Sequence, residues 1–162
     1  ATTMGNVDLT NDKGAVTTVD KTWTFVREPD GTIHIYGYPE VVFPPTDSHS
    51  ATLVDDFIYI VGGSRYPQHC NFGDAPVLRL DIRTLSMERV TPGGTCPGWI
   101  FKHQAMRVGP RSIRITGGKV SGQKEGKETF TQNKDTFVLD LDALMWTRQP
   151  VAGSSPTAPP EA

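Results

Sequence analysis

The sequence predicts an all-β protein made of β-propeller blades, about two complete four-stranded blades plus a partial one, in an incomplete ring. The first observation behind this is a duplication. The stretch His49–Gly63 (HSATLVDDFIYIVGG) returns as His103–Gly118 (HQAMRVGPRSIRITGG), and a following element, Leu80–Met87, returns as Leu139–Trp146. All-β repeats with a period of roughly 50 residues are the signature of propeller blades. The second observation is compositional: 16 Gly and 13 Pro punctuate 162 residues without helical periodicity, as expected of many short strands joined by turns. The third is length. The chain can build one domain with a real core, yet it falls short of the about four to eight blades that close a ring.

Each repeat resolves into four strands. In the first they are His49 to Val54, Phe57 to Val61, Pro76 to Asp81 and Ser86 to Thr91; in the second, His103 to Val108, Ser112 to Thr116, Thr136 to Leu141 and Met145 to Gln149. The apolar run Phe57–Val61 suits an inner strand covered on both faces. Upstream, Trp23 to Val26, the turn Pro29-Asp30-Gly31 and Thr32 to Tyr36 give a hairpin signal, read as the last two strands of an earlier blade. Asn6 to Thr10 and Ala15 to Val19 are candidates for that blade's missing strands. The resulting organisation is irregular or partial first-blade strands at 1–20, a partial blade at 21–48, complete blades at 49–102 and 103–150, and a disordered Pro/Ser/Ala tail at 151–162.

The residues that carry this pattern resemble kelch repeats, and in particular a group of uncharacterised bacterial kelch-like proteins. In that family a Gly-Gly pair ends the second strand and an aromatic residue of the fourth strand packs between blades. Gly62-Gly63 and Gly117-Gly118 match the first mark, Trp146 matches the second with Met87 as an apolar substitute, and Asp81 and Asp140 recur at one repeat position. The Tyr that usually follows the glycine pair is absent, with Leu78 and Phe137 near its place. Independently of any family, a glycine pair at a strand end permits positive φ and close backbone approach.

Strand parity places the long loops Pro39–Ser48, Ser64–Ala75, Pro92–Lys102 and Lys119–Asp135 at one end of the blades, the usual binding surface of a repeat array. Candidate binding residues there are Tyr38, Tyr66, His69, Phe72, Trp99, Phe101 and Lys102. Trp99 and Phe43 have a second reading as covers for the blade ends, and Lys124–Glu128 reads as a solvated loop tip.

Several chemistries are excluded or set aside. Near-balanced charge and a pI of 6.1 give no nucleic-acid stripe, and no apolar run approaches the roughly 18 residues of a membrane span. Asp47-Ser48-His49-Ser50 holds triad residue types without a nucleophile elbow, and His49 recurs as His103, which points to structure. The carboxylates Asp55-Asp56 read as solvating a tight turn. Cys70 and Cys96 lack metal-ligand spacing and read as loop thiols, with a disulfide as the alternative. The sequence therefore predicts no enzyme, no catalytic residue, no metal and no cofactor. It predicts a binding module for an unknown protein or peptide that uses the long-loop face, cytoplasmic by preference. A carbohydrate-binding or metal-dependent enzymatic propeller is the alternative, and structural self-association of the blades a third reading. Exposed blade faces bearing Trp23, Phe25, Val138 and Leu141 predict a homo-oligomer or a place in a larger propeller.

Overall fold

Threonine, valine and aromatic residues dominate the first strands, and branched or flat side chains favour extended backbone. The structure is a computed structural model that describes residues 2–10, 16–27, 29–44, 46–64 and 71–149, with backbone alone at 2–10, 16–27 and 33–36. Strands β1 (Thr2–Thr10), β2 (Val16–Arg27) and β3 (Ile33–Gly37) form an antiparallel sheet in the order β1-β2-β3. The β2–β3 hairpin closes as its sequence requires: Gly31 takes φ 90°, and Asp30 accepts a 2.9 Å hydrogen bond from the Thr32 N–H. The two segments expected at Ala15–Val19 and Trp23–Val26 are one continuous twelve-residue strand. The upstream unit is therefore a three-stranded sheet among the described residues.

The first repeat folds as a four-stranded antiparallel meander, β4 (Ser50–Val54), β5 (Phe57–Val61), β6 (Val77–Asp81) and β7 (Met87–Val90). Next come two short strands, β8 (Gly93–Gly94) and β9 (Trp99–Phe101). The second repeat gives β10 (Gln104–Arg107) and β11 (Ser112–Thr116), then β14 (Thr136–Asp140) and β15 (Met145–Gln149), with β8 added parallel to β15. Between β11 and β14, the stretch expected as a long loop is instead a hairpin, β12 (Lys119–Lys124) and β13 (Lys127–Gln132), which pairs with β9 in a third sheet. Its two-residue turn is Glu125-Gly126, both at positive φ (52° and 76°), so the supposed loop tip is a primed hairpin turn. The described chain is thus all-β, without a helix, in several sheets of which none closes on itself.

The two meanders stack face to face. Val54, Tyr59, Val61 and Val77 of the first are buried against Ile113, Ile115, Phe137, Leu139 and Trp146 of the second. The opposite side of the first meander carries Ile60 and Leu78, covered by Phe43, with Tyr38 and Met87 alongside. Burying side chains of this size contributes roughly 1.5–3 kcal/mol apiece, so the stacked pair is the main source of cohesion. Leu141, expected on an exposed face, is 4% exposed, and Val138 is half-buried. The repeated aspartates close equivalent turns. Asp81 Oδ1 accepts the N–H groups of Arg83 and Thr84, and Asp140 Oδ1 those of Asp142 and Ala143, at 2.8–3.1 Å. Both turns then place a leucine, Leu85 or Leu144, at positive φ.

The glycine pairs allow chain crossings. A Cβ on Gly62, whose φ is 66°, would stand 2.1 Å from the Ile100 carbonyl oxygen, and one on Gly118 would stand 2.6 Å from that of Phe101. Segment 99–103 is therefore gripped from both repeats, and the Gly63 N–H donates to the Ile100 oxygen at 2.8 Å. We expect Gly62→Ala to cost roughly 3 kcal/mol, since backbone strain and a backbone clash coincide. Gly109→Ala meets open space at a similar φ of 69° and should cost only about 1 kcal/mol. Urea unfolding of the two variants checks this, and equal losses would contradict the crossing argument.

Candidate functional site

Backbone register divides the N-terminal sheet into two unlike faces. Residues directly opposite in antiparallel strands share a face, and β1–β2 pairs Asn6 with Asp20 and Asp8 with Thr18, while β2–β3 pairs Thr24 with Tyr36 and Val26 with His34. All even-numbered positions thus fall on one side, which holds Asn6, Asp8, Thr18, Asp20, Thr22, Thr24, His34 and Tyr36. The odd-numbered side holds Val7, Leu9, Val19, Trp23, Phe25, Ile33 and Ile35, together with Thr3, Thr17, Lys21 and Arg27. The even-numbered face gathers the carboxylate, imidazole and phenol groups and most of the threonines, with Met4, Val16 and Val26 among them, and the odd-numbered face carries most of the apolar residues. The alternation was present in the sequence, but it shows as a face only once Val16–Arg27 is one strand paired on both sides.

The long-loop end is built differently from the surface expected of it. Trp99 is 1% exposed, and its Nε1–H donates to the Gly63 oxygen at 2.8 Å. Phe101 is also buried, with the exposed Phe130 standing edge-on at 5.6 Å. These rings cover the blade end, whereas Phe43 packs on the outer face of the first meander against Ile60 and Leu78. Tyr38 lies at the opposite end, its hydroxyl donating to the Leu85 oxygen beside a tight turn. Phe72 is half-buried and Lys102 exposed, the latter at φ 54°. Tyr66, His69 and Cys70 lie outside the described residues. Cys96 is a free thiol whose Sγ approaches the Gly73 oxygen at 3.5 Å.

The Asp55 turn has partners the sequence did not reveal. Its carboxylate takes Arg107 at 3.1 Å and Arg111 at 2.8 Å, both from the second repeat, and Arg111 also reaches Asp142 at 2.9 Å. The Arg111 hydrogen bond, reinforced by Arg107, holds the Asp55 carboxyl below its ordinary range. Asp56 pairs with Arg83.

His103 is buried and strongly perturbed. It is 8% exposed, and its Nε2 meets Ser50 Oγ of β4 at 2.7 Å, so a residue of one repeat is seated on the other. Its Nδ1 is buried without a hydrogen-bond partner. Burial, and secondarily the neighbouring His49, pushes its pKa down from 6.5 to about 4. A neutral imidazole wedged between sheets is a packing element, as the His49–His103 recurrence implied. Among the described residues, no group of three or more His, Cys, Asp or Glu is placed to hold a metal ion, and no helix is long and apolar enough to cross a membrane.

With this geometry in view, the comparisons with known proteins fall on the N-terminal sheet. Residues 1–39 match the family model described as metal-independent carbonic anhydrase. The metal-independent carbonic anhydrase of Nostoc sp. (strain PCC 7120 / SAG 25.82 / UTEX 2576) is 54% identical to this chain over 35 residues, which is 22% of this chain and 17% of that protein. The matched stretch therefore spans well under a fifth of the relative's length. This finding overturns the kelch resemblance as an identification and, with it, the expectation of a non-enzymatic protein-binding module: what the chain matches is an enzyme family. Of the kelch marks, Gly62, Gly63 and Gly118 serve close approaches, Asp81 and Asp140 turns, and Trp146 the core, while Gly117 takes φ 64° facing open space. Such roles follow from stacking sheets and carry no family signature of their own.

The His103 environment sets a pH dependence. Because the folded pKa lies below the ordinary value, the neutral form is favoured by folding. The associated stability is complete above pH 6.5 and declines as pH falls toward about 4; the full loss is roughly 3 kcal/mol. The urea midpoint should fall across that window, and His103→Gln should flatten the fall. A variant with the same pH slope as the parent would remove His103 as its source.

Proposed function

We propose that the chain hydrates carbon dioxide to bicarbonate, using the even-numbered face of the β1–β3 sheet. The observation that carries this reading is the coincidence of the carbonic anhydrase match, residues 1–39, with a sheet whose register gathers Asp8, Asp20, His34, Tyr36 and most of its threonines onto one side. In the reaction a water oxygen forms a bond to the carbon, an electron pair of one C=O bond moves onto its oxygen, and a proton leaves the attacking water. Side chains can serve both ends of that step. A base must take the proton, and residue types suited to this are His34, Asp8 and Asp20, with histidine nearest neutrality. Hydrogen-bond donors must meet the charge developing on the carbon dioxide oxygens, and Thr18, Thr22, Thr24, Tyr36 and Asn6 are of the type that supplies them. The names of the matching family and relative describe an activity independent of metal, which suits a site made of these groups.

In the same reading the two meanders are propeller-type blades that act as a platform. Antiparallel four-stranded order and face-to-face stacking support this.

Stopped-flow hydration of carbon dioxide, followed with a pH indicator, tests the proposal. The purified chain should exceed the buffer rate before and after treatment with a strong chelator. His34→Gln should lower the enzymatic rate by roughly 100-fold if His34 is the base, with an unchanged circular dichroism spectrum. A folded chain no faster than buffer would end the proposal.

A further inference from the structure

The duplication gives each face of one meander a counterpart on the other. Tyr59, Val61 and Val77, buried on the face that meets the second meander, correspond to Arg114, Thr116 and Thr136 on the second meander's outer face. An apolar contact row has become a polar one, with Arg114 exposed and both threonines half-buried. A stack of repeats ends in a unit whose outer face is polar, and this row has the character of such an end, with the exposed Met106 and Met145 among its apolar members.

The other side differs. Ile58, Ile60, Leu78, Leu80 and Met87 form the outer row of the first meander, and their counterparts Ile113, Ile115, Phe137, Leu139 and Trp146 are all buried by a neighbouring sheet. The centre of this row is kept from water, with Leu80 1%, Ile60 4% and Leu78 5% exposed, while Ile58 and Met87 are half-buried. Phe43 and Tyr38 cover Ile60 and Leu78. Tyr38 directly follows Gly37, the last residue of β3, so the chain runs from the N-terminal sheet straight onto this face.

We propose that the N-terminal sheet lies on this face through its odd-numbered side, the one that carries Trp23, Phe25, Ile33 and Ile35. The described residues then form a stack of three sheets in which no second copy is needed to cover the Ile58 row. The even-numbered side of β1–β3 is left open to solvent. The argument rests on repeat equivalence and chain continuity, and holds whether or not that open side is catalytic.

Trp23 reports on the contact, since it is on the odd-numbered side while Trp99 and Trp146 are 1% and 3% exposed. Acrylamide quenching of the full chain, minus that of Trp23→Phe, isolates its signal. We expect Trp23 to be quenched several-fold less than free tryptophan, in a sample that light scattering finds monomeric at micromolar concentration. Ile58→Asp should raise Trp23 quenching several-fold while Trp99 and Trp146 stay shielded. If that variant unfolds, which quenching of Trp99 and Trp146 would reveal, Leu53→Asp at the exposed rim of the same face gives the same readout. Two results would overturn the proposal: native Trp23 as accessible as free tryptophan, or shielding that appears only as the mass doubles, which would make a second copy the cover.

Discussion

The structure depends on one backbone crossing. Segment 99–103 runs between Gly62 on one side and Gly118 on the other, closer than any side chain would permit. From that crossing follow the Gly63–Ile100 hydrogen bond, the burial of Trp99 against the Gly63 carbonyl and the seating of His103 on Ser50. The first two tie the segment that leads into the second repeat back onto the first, and the third joins the two repeats. The crossing costs conformational freedom, since glycine loses more than any other residue on folding; what offsets it is the apolar surface removed from water where the two meanders meet.

Much of the fold was legible because short apolar strands announce themselves. Phe57–Val61, Ser112–Thr116 and Met145–Gln149 have the bounds that alternation and turn residues imply. The hairpin Lys119–Gln132 was not legible as strand, because its outward positions are Lys, Gln and Glu and its turn, Glu125-Gly126, sits inside a charge cluster. Trp99 and Phe101 were half legible: aromatic residues in a loop can recognise a partner or cover a core, and only the Gly63 carbonyl, 36 residues away, decides for the second.

The part that carries the family match was the least legible. The duplication draws attention to residues 49–149, whereas the family match lies before it, in a stretch that looked like a damaged blade. Its information resides in which strand pairs with which. Asp20 and Asn6, or Tyr36 and Thr24, become neighbours only through register, and a one-residue slip would move every one of them to the opposite side.

The contact between the two meanders is fastened differently at its two ends. At the tight-turn end, Asp55 is held by Arg107 and Arg111, all substantially exposed. At the far end, His103 sits neutral and dry against Ser50. Dissolved ions screen the first and leave the second untouched, while mild acid acts on the second before it reaches a carboxylate held below its ordinary range. Salt and acidity therefore loosen the sandwich from opposite ends, and the molecule tolerates either better than both together.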